Sequence, residues 1–273
     1  MRFSTLLLGG FAVFVYGTGV SLTALYFKKP EEGDWPTDDS RISTFDSLSP
    51  SYDSKLNTEE FVMGLSGRRK KLMSSVHGDV LEVSAGSGRN LPYLGQAKDM
   101  TSYTACDASH GMIDVLKAKC AKNEACKLLM SKNCFNAVEA RSEKLPFPDN
   151  SFDTVVDCFG LCSVSDPEGA LKEMRRILRP GGKMILLEHG LTGKRAFIDD
   201  YLHKHALGHV RNWGCFWNRP IPEYVAKLEN PPAGDDHSSS NSNIMMKIES
   251  ESRFGFGTNY LYSLRKVDYR PQI

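Results

Sequence analysis

The stretch that most constrains the fold of this chain covers residues 80–91 and reads V-L-E-V-S-A-G-S-G-R-N-L. Strand-forming apolar residues end at an acid, and two glycines one residue apart precede a run that can begin a helix. A strand, a glycine turn and a helix N-terminus together present backbone N–H groups and a positive dipole end to a ligand. We therefore expect a nucleotide-type cofactor site in an α/β domain.

The glycine spacing narrows the kind of cofactor. A dinucleotide turn needs glycine at its first, third and sixth positions. A frame opened at Ser84 ends on Arg89, and a frame opened at Gly86 ends on Leu91, so neither is complete. An NAD-type dehydrogenase is therefore disfavoured. The alternative to a cofactor site is an ordinary strand-to-helix turn, because such turns carry similar glycines.

The same stretch resembles the first motif of the class I S-adenosylmethionine-dependent methyltransferases, an acid followed by a small-x-Gly-x-Gly loop. The matching residues here are Glu82, Ser84, Gly86 and Gly88, with Ala85 between them. Ser84 stands where glycine is usual, and it narrows the space beside the methionine end of the cofactor. The resemblance implies that these residues bind S-adenosyl-L-methionine.

The second strand is predicted over residues 100–106, with an acid at its end. Asp107 follows Gly86 by 21 residues, near the roughly 20-residue offset at which an acid meets ribose hydroxyls. A carboxylate at this place can accept two hydrogen bonds from the ribose diol. We expect Asp107 and the adjacent Ala108 to contact the cofactor.

Two later stretches occur in the order and spacing of the same family. Residues 143–153, E-K-L-P-F-P-D-N-S-F-D, precede a predicted strand over 154–158 and resemble the loop on the adenine side. Residues 178–188, L-R-P-G-G-K-M-I-L-L-E, resemble the helix end, turn and fifth strand that follow. This resemblance adds Ser142, Glu143 and Phe159 to the expected cofactor contacts.

One position on the adenine side departs from the family pattern. Related enzymes carry an acid two residues ahead of the Glu143 equivalent, and that acid accepts a hydrogen bond from the adenine amino group. Here the position is Arg141, and arginine has donors only. Either Glu139 or Glu143 substitutes for the acid, or stacking and backbone contacts alone hold the adenine.

The predicted fold is an α/β Rossmann-like methyltransferase sheet of about seven strands with helices on both faces, preceded by an N-terminal transmembrane helix. Residues 5–27 carry no charge, and as a helix they would reach roughly 34 Å across a hydrocarbon core of about 30 Å. A signal peptide or targeting presequence is the competing interpretation. We expect an anchor at 1–29, a juxtamembrane linker at 30–43 and the catalytic domain at 44–273, with a mobile loop at 231–243.

Composition and histidine spacing argue against two other kinds of partner. A net charge of +1 gives no reason to expect nucleic acid. The seven cysteines contain no C-x-x-C pair and fit neither a disulfide framework nor a zinc site. His203, His205 and His209 lack the acid of an H-E-x-x-H arrangement. No metal is expected.

Further motifs point to a membrane-bound subfamily. Residues 44–53, T-F-D-S-L-S-P-S-Y-D, resemble the segment that closes over the cofactor in ubiquinone and menaquinone biosynthesis methyltransferases. F-G-L-C-S-V at 159–164 and L-E-H-G at 187–190 look like single-span membrane methyltransferase-like proteins of fungal mitochondria and of animal endoplasmic reticulum and lipid droplets. The runs at 207–219 and 254–260 resemble the fungal inner-membrane members most. The resemblance favours the mitochondrial inner membrane, with the endoplasmic reticulum as the alternative.

The expected function is transfer of a methyl group to a small or lipid-soluble acceptor at a membrane. His189 is the leading candidate for a general base, since an imidazole titrates near neutrality, and Tyr52 is the second. Trp213 and Trp217 could cover the acceptor, dock on the bilayer or simply pack in the core. A catalytically silent assembly or scaffold protein is the alternative, motivated by Ser84 and Arg141.

Overall fold

The computed structural model describes residues 29–229 and 244–268. The expected membrane anchor at 5–27 and the expected mobile loop at 231–243 lie outside the described residues. Across the two described ranges, every helix is too short or too polar to cross a bilayer.

The described residues form one sheet of seven strands in the order β3-β2-β1-β4-β5-β7-β6. The strands are β1 His77–Val83, β2 Asp99–Asp107, β3 Phe135–Glu139, β4 Phe152–Cys158, β5 Leu178–His189, β6 Ile244–Phe254 and β7 Asn259–Asp268. Strands β1 to β5 pair in parallel, and β7 pairs antiparallel with both β5 and β6. The predicted Rossmann-like sheet of about seven strands is therefore confirmed, and its last two strands form an antiparallel pair.

Helices and short 3₁₀ turns surround this sheet. They are α1 Asp38–Leu48, α2 Tyr52–Val62, α3 Leu65–Met73, α4 His110–Cys120, α5 Glu124–Ser131, α6 Pro167–Ile177, α7 Ala196–Lys204, α8 Ala206–Trp213 and α9 Ile221–Glu229, with 3₁₀ turns at Leu91–Gln96 and Gly255–Gly257. The sequence stabilises the start of α6. Asp166 is its N-cap, with a side chain that accepts a hydrogen bond from the Gly169 amide at 3.0 Å, and Pro167 occupies the first turn.

The core divides between the two faces of the sheet because side chains alternate along each strand. Leu81 and Val155 belong to a cluster that includes buried residues of α6 and α9. Their neighbours Val80 and Val156 belong to a second cluster, which includes buried residues of α3 and α4. Burial on both faces explains why the central strands are almost continuously apolar.

The prediction of a helix directly after the first glycine turn is wrong. The chain instead passes through successive turns into the short 3₁₀ helix Leu91–Gln96. Pro92 lies in its first turn and Gly95 near its end, and the six residues between Asn90 and Ala97 leave little room for an α-helix. Any ligand at this loop therefore meets loop amides and side chains, without the dipole of an α-helix.

The expected linker at 30–43 is partly folded. Helix α1 begins at Asp38, inside that segment, with Thr37 as its N-cap and two acids in its first turn. Arg41 is buried, and its guanidinium donates hydrogen bonds to the Ser163 carbonyl and to Asp38. The boundary at 43/44 thus falls inside a helix that packs on the domain.

Candidate active site

A cavity of about 480 Å³ opens beyond the carboxyl ends of β1, β2, β4 and β5. The order of the sheet reverses between β1 and β4, and ligands of open α/β sheets bind at such a switch point. The predicted site residues that line the cavity are Tyr52, Glu82, Ser84, Ala85, Gly86, Asp107, Ala108, Ser142, Glu143, Phe159 and His189. Gly88 is the predicted residue that does not line it.

Asp107 fixes the glycine loop against the end of β2. The Gly86 amide donates to Asp107 Oδ2 at 2.7 Å, and the Ser109 amide donates to Oδ1 at 2.8 Å. Burial raises the pKa of Asp107 to about 6. A carboxylate offers about four acceptor positions, so the group keeps acceptor capacity at the cavity lining.

The two glycines of the loop have different roles. Both have positive φ, +54° at Gly86 and +76° at Gly88. A Cβ on Gly88 would lie 2.7 Å from the side chain of Leu91 and 3.0 Å from that of Leu116, so Gly88 permits close packing of the loop. A Cβ on Gly86 would meet no atom within 4 Å, and this open space beside the cavity fits a cofactor that approaches the bare backbone.

Glu82 lines the cavity, but both of its oxygens are engaged. Oε1 accepts a hydrogen bond from Asn90 Nδ2 at 2.9 Å, and Oε2 accepts one from the hydroxyl of Tyr103. Burial raises the pKa of Glu82 to about 6. Arg69 also donates to Asn90 Oδ1 at 3.0 Å. Glu82 therefore connects the end of the loop to β2 and α3.

Two buried acids near the ends of β4 and β5 were not among the predicted site residues. Asp157 of β4 and Glu188 of β5 are both fully buried, and burial raises the pKa of Asp157 to about 7. Glu188 Oε1 accepts hydrogen bonds from the amides of Gly160 and Leu161 at 3.1 and 3.3 Å, so it shapes the turn after β4. An acid inside each of two apolar runs, V-V-D-C and L-L-E-H, was the available signal.

Ser84 and Ser142 connect the glycine loop to the adenine-side loop. Ser84 has a φ of +50°, in the region that favours glycine, and its hydroxyl lies 3.1 Å from the Ser142 hydroxyl. A Cβ on Gly160 would lie 2.3 Å from Ser84 Oγ. The serine therefore fits only because the facing residue has no side chain.

Arg141 is directed toward the N-terminal helix. Its guanidinium pairs with Asp39 at 2.7 Å and lies 3.6 Å from an oxygen of Asp38. Glu143 Oε1 accepts a hydrogen bond from the Ser165 amide at 2.7 Å. Glu139 is exposed and pairs with a histidine outside the cavity lining. Of the two expected substitutes for the missing acid, Glu143 alone reaches the cavity, and Arg141 helps to attach α1.

The F-D pair at the end of α1 has divided roles. Phe45 lines the cavity. Asp46 Oδ1 accepts hydrogen bonds from the Ser109 hydroxyl at 2.6 Å and from the Gly111 amide at 2.9 Å. The aspartate therefore anchors α1 at the start of α4, two residues beyond Asp107, and the aromatic ring is held over the cavity.

The Y-D pair at the start of α2 repeats this arrangement. Tyr52 lines the cavity with its ring centroid 6.4 Å from that of Phe45. Asp53 Oδ1 accepts hydrogen bonds from the Ser87 hydroxyl at 2.6 Å and from Arg89 at 3.0 Å. Burial raises the pKa of Tyr52 far above its ordinary value, so the phenol keeps its proton at neutral pH.

A buried ion network attaches α2 to α3 and to the glycine loop. Glu60 Oε1 accepts from Arg69 Nη2 at 2.9 Å and from Arg89 Nε at 2.7 Å. Burial alone raises the pKa of Glu60, but the two guanidinium groups hold it below its ordinary value. The glutamate is therefore ionised at neutral pH and bridges two elements of the cavity wall.

Part of the cavity lining is aromatic and apolar. Trp217 stacks on His209 with ring centroids 3.9 Å apart and donates from Nε1 to the Leu202 carbonyl at 2.8 Å. Trp213 and Met63 also line the cavity. Burial lowers the pKa of His209 to about 3, so this imidazole is uncharged at neutral pH.

His189 lies between an aromatic ring and a thiol. Its Nε2 is 2.9 Å from Cys215 Sγ, and its ring meets Phe159 edge-on at 5.4 Å. Cys162 Sγ lies within 4.8 Å of both His189 and Cys215 ligand atoms, and burial raises the pKa of the Cys162 thiol. Whichever partner holds the proton, Nε2 is engaged by the thiol and does not face an acceptor freely.

A mostly parallel sheet with a cavity at its switch point is the arrangement in which open α/β proteins bind their ligands, and known proteins specify the class. A methyltransferase domain family matches residues 81–186. The mitochondrial methyltransferase OMS1 of Saccharomyces cerevisiae is 33% identical over 87% of this chain, which spans 57% of that protein. A demethylmenaquinone methyltransferase of Renibacterium salmoninarum is 33% identical over 64% of this chain and 70% of its own length.

A solved structure extends the comparison to the fold. The crystal structure of an S-adenosylmethionine-dependent methyltransferase from Thermotoga maritima superposes with a TM-score of 0.54 at 17% identity, covering 82% of this chain and 99% of that chain. The chain therefore belongs to the S-adenosylmethionine-dependent methyltransferases, and its cofactor is S-adenosyl-L-methionine.

Proposed function

We propose that this methyltransferase acts at a membrane on a small, lipid-soluble acceptor. The observation that carries the proposal is the mixed chemistry of the cavity lining. The glycine loop and Asp107 supply polar groups, and aromatic side chains, including Phe45, Trp213 and Trp217, supply apolar surface. A volume of about 480 Å³ lies in the range of roughly 300 to 1,000 Å³ for small-molecule sites.

We assign the polar part of the lining, at the glycine loop and Asp107, to the cofactor. When bound, S-adenosylmethionine supplies an electrophilic methyl group on its sulfonium. Asp107 would accept hydrogen bonds from the ribose hydroxyls, and Gly86 leaves space for the close approach of the ligand to the loop. Ser142 and Glu143 lie on the adenine side, where the second Glu143 oxygen is the proposed acceptor for the amino group.

We assign the aromatic part of the lining, including Trp213 and Trp217, to the methyl acceptor. Helices α1 and α2 cover the cavity through the Asp46 and Asp53 anchors, which favours a site that excludes water. Holding two reactants in line in such a site can supply roughly 7 to 11 kcal/mol of the activation barrier. Because Tyr52 keeps its proton and His189 Nε2 is engaged by Cys215, we assign catalysis to positioning and give neither residue the role of a free base.

The surface beside the cavity supports docking on a bilayer. Phe61, Val62 and Phe256 are 82%, 75% and 78% exposed. The first two precede Met63, which lines the cavity, and a Cβ on Gly255 would lie 2.3 Å from Met63 Cε, so the two exposed segments adjoin. Neighbouring exposed apolar side chains mark interaction surfaces, and the uncharged segment 5–27 would supply the anchor.

The proposed location is supported by the resemblance and by one relative. The yeast relative carries the word mitochondrial in its name, and we extend that location to this chain as a proposal. The mitochondrial inner membrane is the favoured site, with the endoplasmic reticulum as the alternative. Fractionation followed by protease protection tests both the organelle and the orientation.

A partition assay tests the acceptor class. Full-length protein in detergent is incubated with methyl-labelled S-adenosylmethionine and a lipid extract of the membrane, and the label is counted in organic and aqueous phases. The proposal expects organic label that is lost in Trp217→Leu, whereas Trp35→Leu, at a residue outside the cavity lining, retains it. Label confined to the aqueous phase would contradict a lipid-soluble acceptor.

A further inference from the structure

Three metal-binding side chains meet at one side of the cavity. Cys162 Sγ, a ring nitrogen of His189 and Cys215 Sγ all lie within 4.8 Å of one another, and His189 Nε2 and Cys215 Sγ are 2.9 Å apart. The three residues come from the turn after β4, the end of β5 and the segment after α8. In the part of the chain that the structure describes, they form the one group of this kind.

We propose that this cluster binds a zinc ion. Two thiolates and an imidazole are ligands that Zn²⁺ prefers, and three protein ligands with one open position are typical of catalytic zinc sites. Zn–S distances of about 2.3 Å and Zn–N distances of about 2.0 Å place the ligand atoms of a tetrahedral site roughly 3.5 to 3.8 Å apart. The observed spacing therefore requires shifts of about an ångström or less at the side chains.

The backbone around the cluster holds the ligands together. The Phe216 amide donates to the Cys162 carbonyl at 2.7 Å, which joins the segment of Cys215 to the turn after β4. Gly214 ends α8 with a φ of +72° and directs the chain into this contact. Phe159 packs edge-on against His189 and limits rotation of its ring. The site is thus built from contacts that exist without the ion.

The open coordination position would face the cavity, because Cys162, His189 and Cys215 all line it. A heteroatom of the acceptor could occupy that position, and the ion would then lower the pKa of a protonated acceptor. This role in the reaction rests on the proposed function, whereas metal binding itself does not. The zinc proposal reverses the prediction that no metal binds. That prediction was based on the spacing of the cysteines in the sequence and on a different group of histidines.

Metal content and cobalt substitution test the site. Full-length protein is purified in detergent under reducing conditions, its zinc is measured, and Co²⁺ is then exchanged in. We expect about one metal ion per chain and the absorption of tetrahedral cobalt, including a thiolate-to-cobalt charge-transfer band. Cys162→Ser and Cys215→Ser should each lower Co²⁺ affinity by at least about tenfold, whereas Cys134→Ser, at a half-buried cysteine outside the cluster, should not.

S-adenosylhomocysteine binding, measured on the same samples, separates this proposal from the assignment of the cofactor. A variant that loses cobalt but binds S-adenosylhomocysteine like the wild type is folded, and its loss supports the metal site. His189→Gln provides a second such variant if a serine variant does not fold. Equal cobalt uptake by wild type and Cys215→Ser, or a Cys162–Cys215 disulfide in the protein as isolated from cells, would overturn the proposal.

Discussion

The Gly86 amide donates a hydrogen bond of 2.7 Å to Asp107 Oδ2, so the glycine loop after β1 and the acid ending β2 form one unit. The contact joins two residues 21 positions apart at the switch point of the sheet. It leaves the carboxylate at the cavity wall and keeps the loop backbone beside it.

Alanine at the two loop glycines should separate cofactor binding from stability. Both variants carry the cost of a positive φ, about 1 kcal/mol. Gly88→Ala adds clashes with Leu91 and Leu116, and we expect a total loss of about 2 to 3 kcal/mol in the free energy of unfolding. Gly86→Ala meets no protein atom and should mainly weaken S-adenosylhomocysteine binding, because its methyl group extends into open space beside the cavity.

Denaturant unfolding and calorimetric titration of both glycine variants give the comparison. If Gly86→Ala binds S-adenosylhomocysteine as tightly as the wild type, the space beside Gly86 is not the cofactor site.

Cofactor affinity should fall as the pH is lowered through about 6. Burial raises the pKa of Asp107 to about 6, and the protonated acid can no longer accept from both ribose hydroxyls. The folded chain therefore binds a proton between about pH 4 and 6 that the unfolded chain has released, so this group's contribution to stability also declines as the pH rises through that window. Affinity should drop by up to about tenfold per pH unit below 6.

Asp107→Asn is the control for this pH dependence, because Glu82 also has a pKa of about 6. The step in affinity should disappear in Asp107→Asn if Asp107 causes it. A step that persists in this variant would assign the titration to another group.

The buried network at Glu60 should matter far more than an exposed ion pair. Glu60→Gln removes the charge that faces Arg69 and Arg89, and an uncompensated buried charge costs about 3 kcal/mol. The same substitution at Glu124, whose pair with Lys127 is exposed, should cost less than about 1 kcal/mol. Urea unfolding of both variants measures the difference, and equal losses would show that the network does not hold α2 in place.

Much of the domain was predictable because its signals are local in sequence. Apolar runs predicted the central strands within a few residues, and Asp107, the acid predicted to follow the second strand, ends β2 and lines the cavity. Strand β5 is an instructive exception. Residues 180–182, P-G-G, were interpreted as a turn, but the strand runs through them, with a register shift between β4 and β5 and a φ of +75° at Gly181.

The attachment of α1 through Arg141 and the cysteine cluster were not predictable in the same way. Arg141 contacts Asp39 across 102 residues, and Cys215 contacts His189 across 26. Such pairs leave no fixed spacing in one sequence, because separate elements bring them together. The sequence shows that Arg141 replaces the usual acid, but the residue with which Arg141 pairs depends on how α1 packs.

The most direct test of the account is calorimetric titration of the full-length protein in detergent with S-adenosylhomocysteine, comparing wild type, Asp107→Asn and Asp99→Asn. Asp107 and the exposed Asp99 lie at opposite ends of β2, so the two variants carry the same substitution on one strand. We predict one site per chain, affinity lowered about tenfold or more in Asp107→Asn and unchanged affinity in Asp99→Asn. Equal binding by all three proteins, or no binding by the wild type, would contradict the assignment of this cavity to the cofactor.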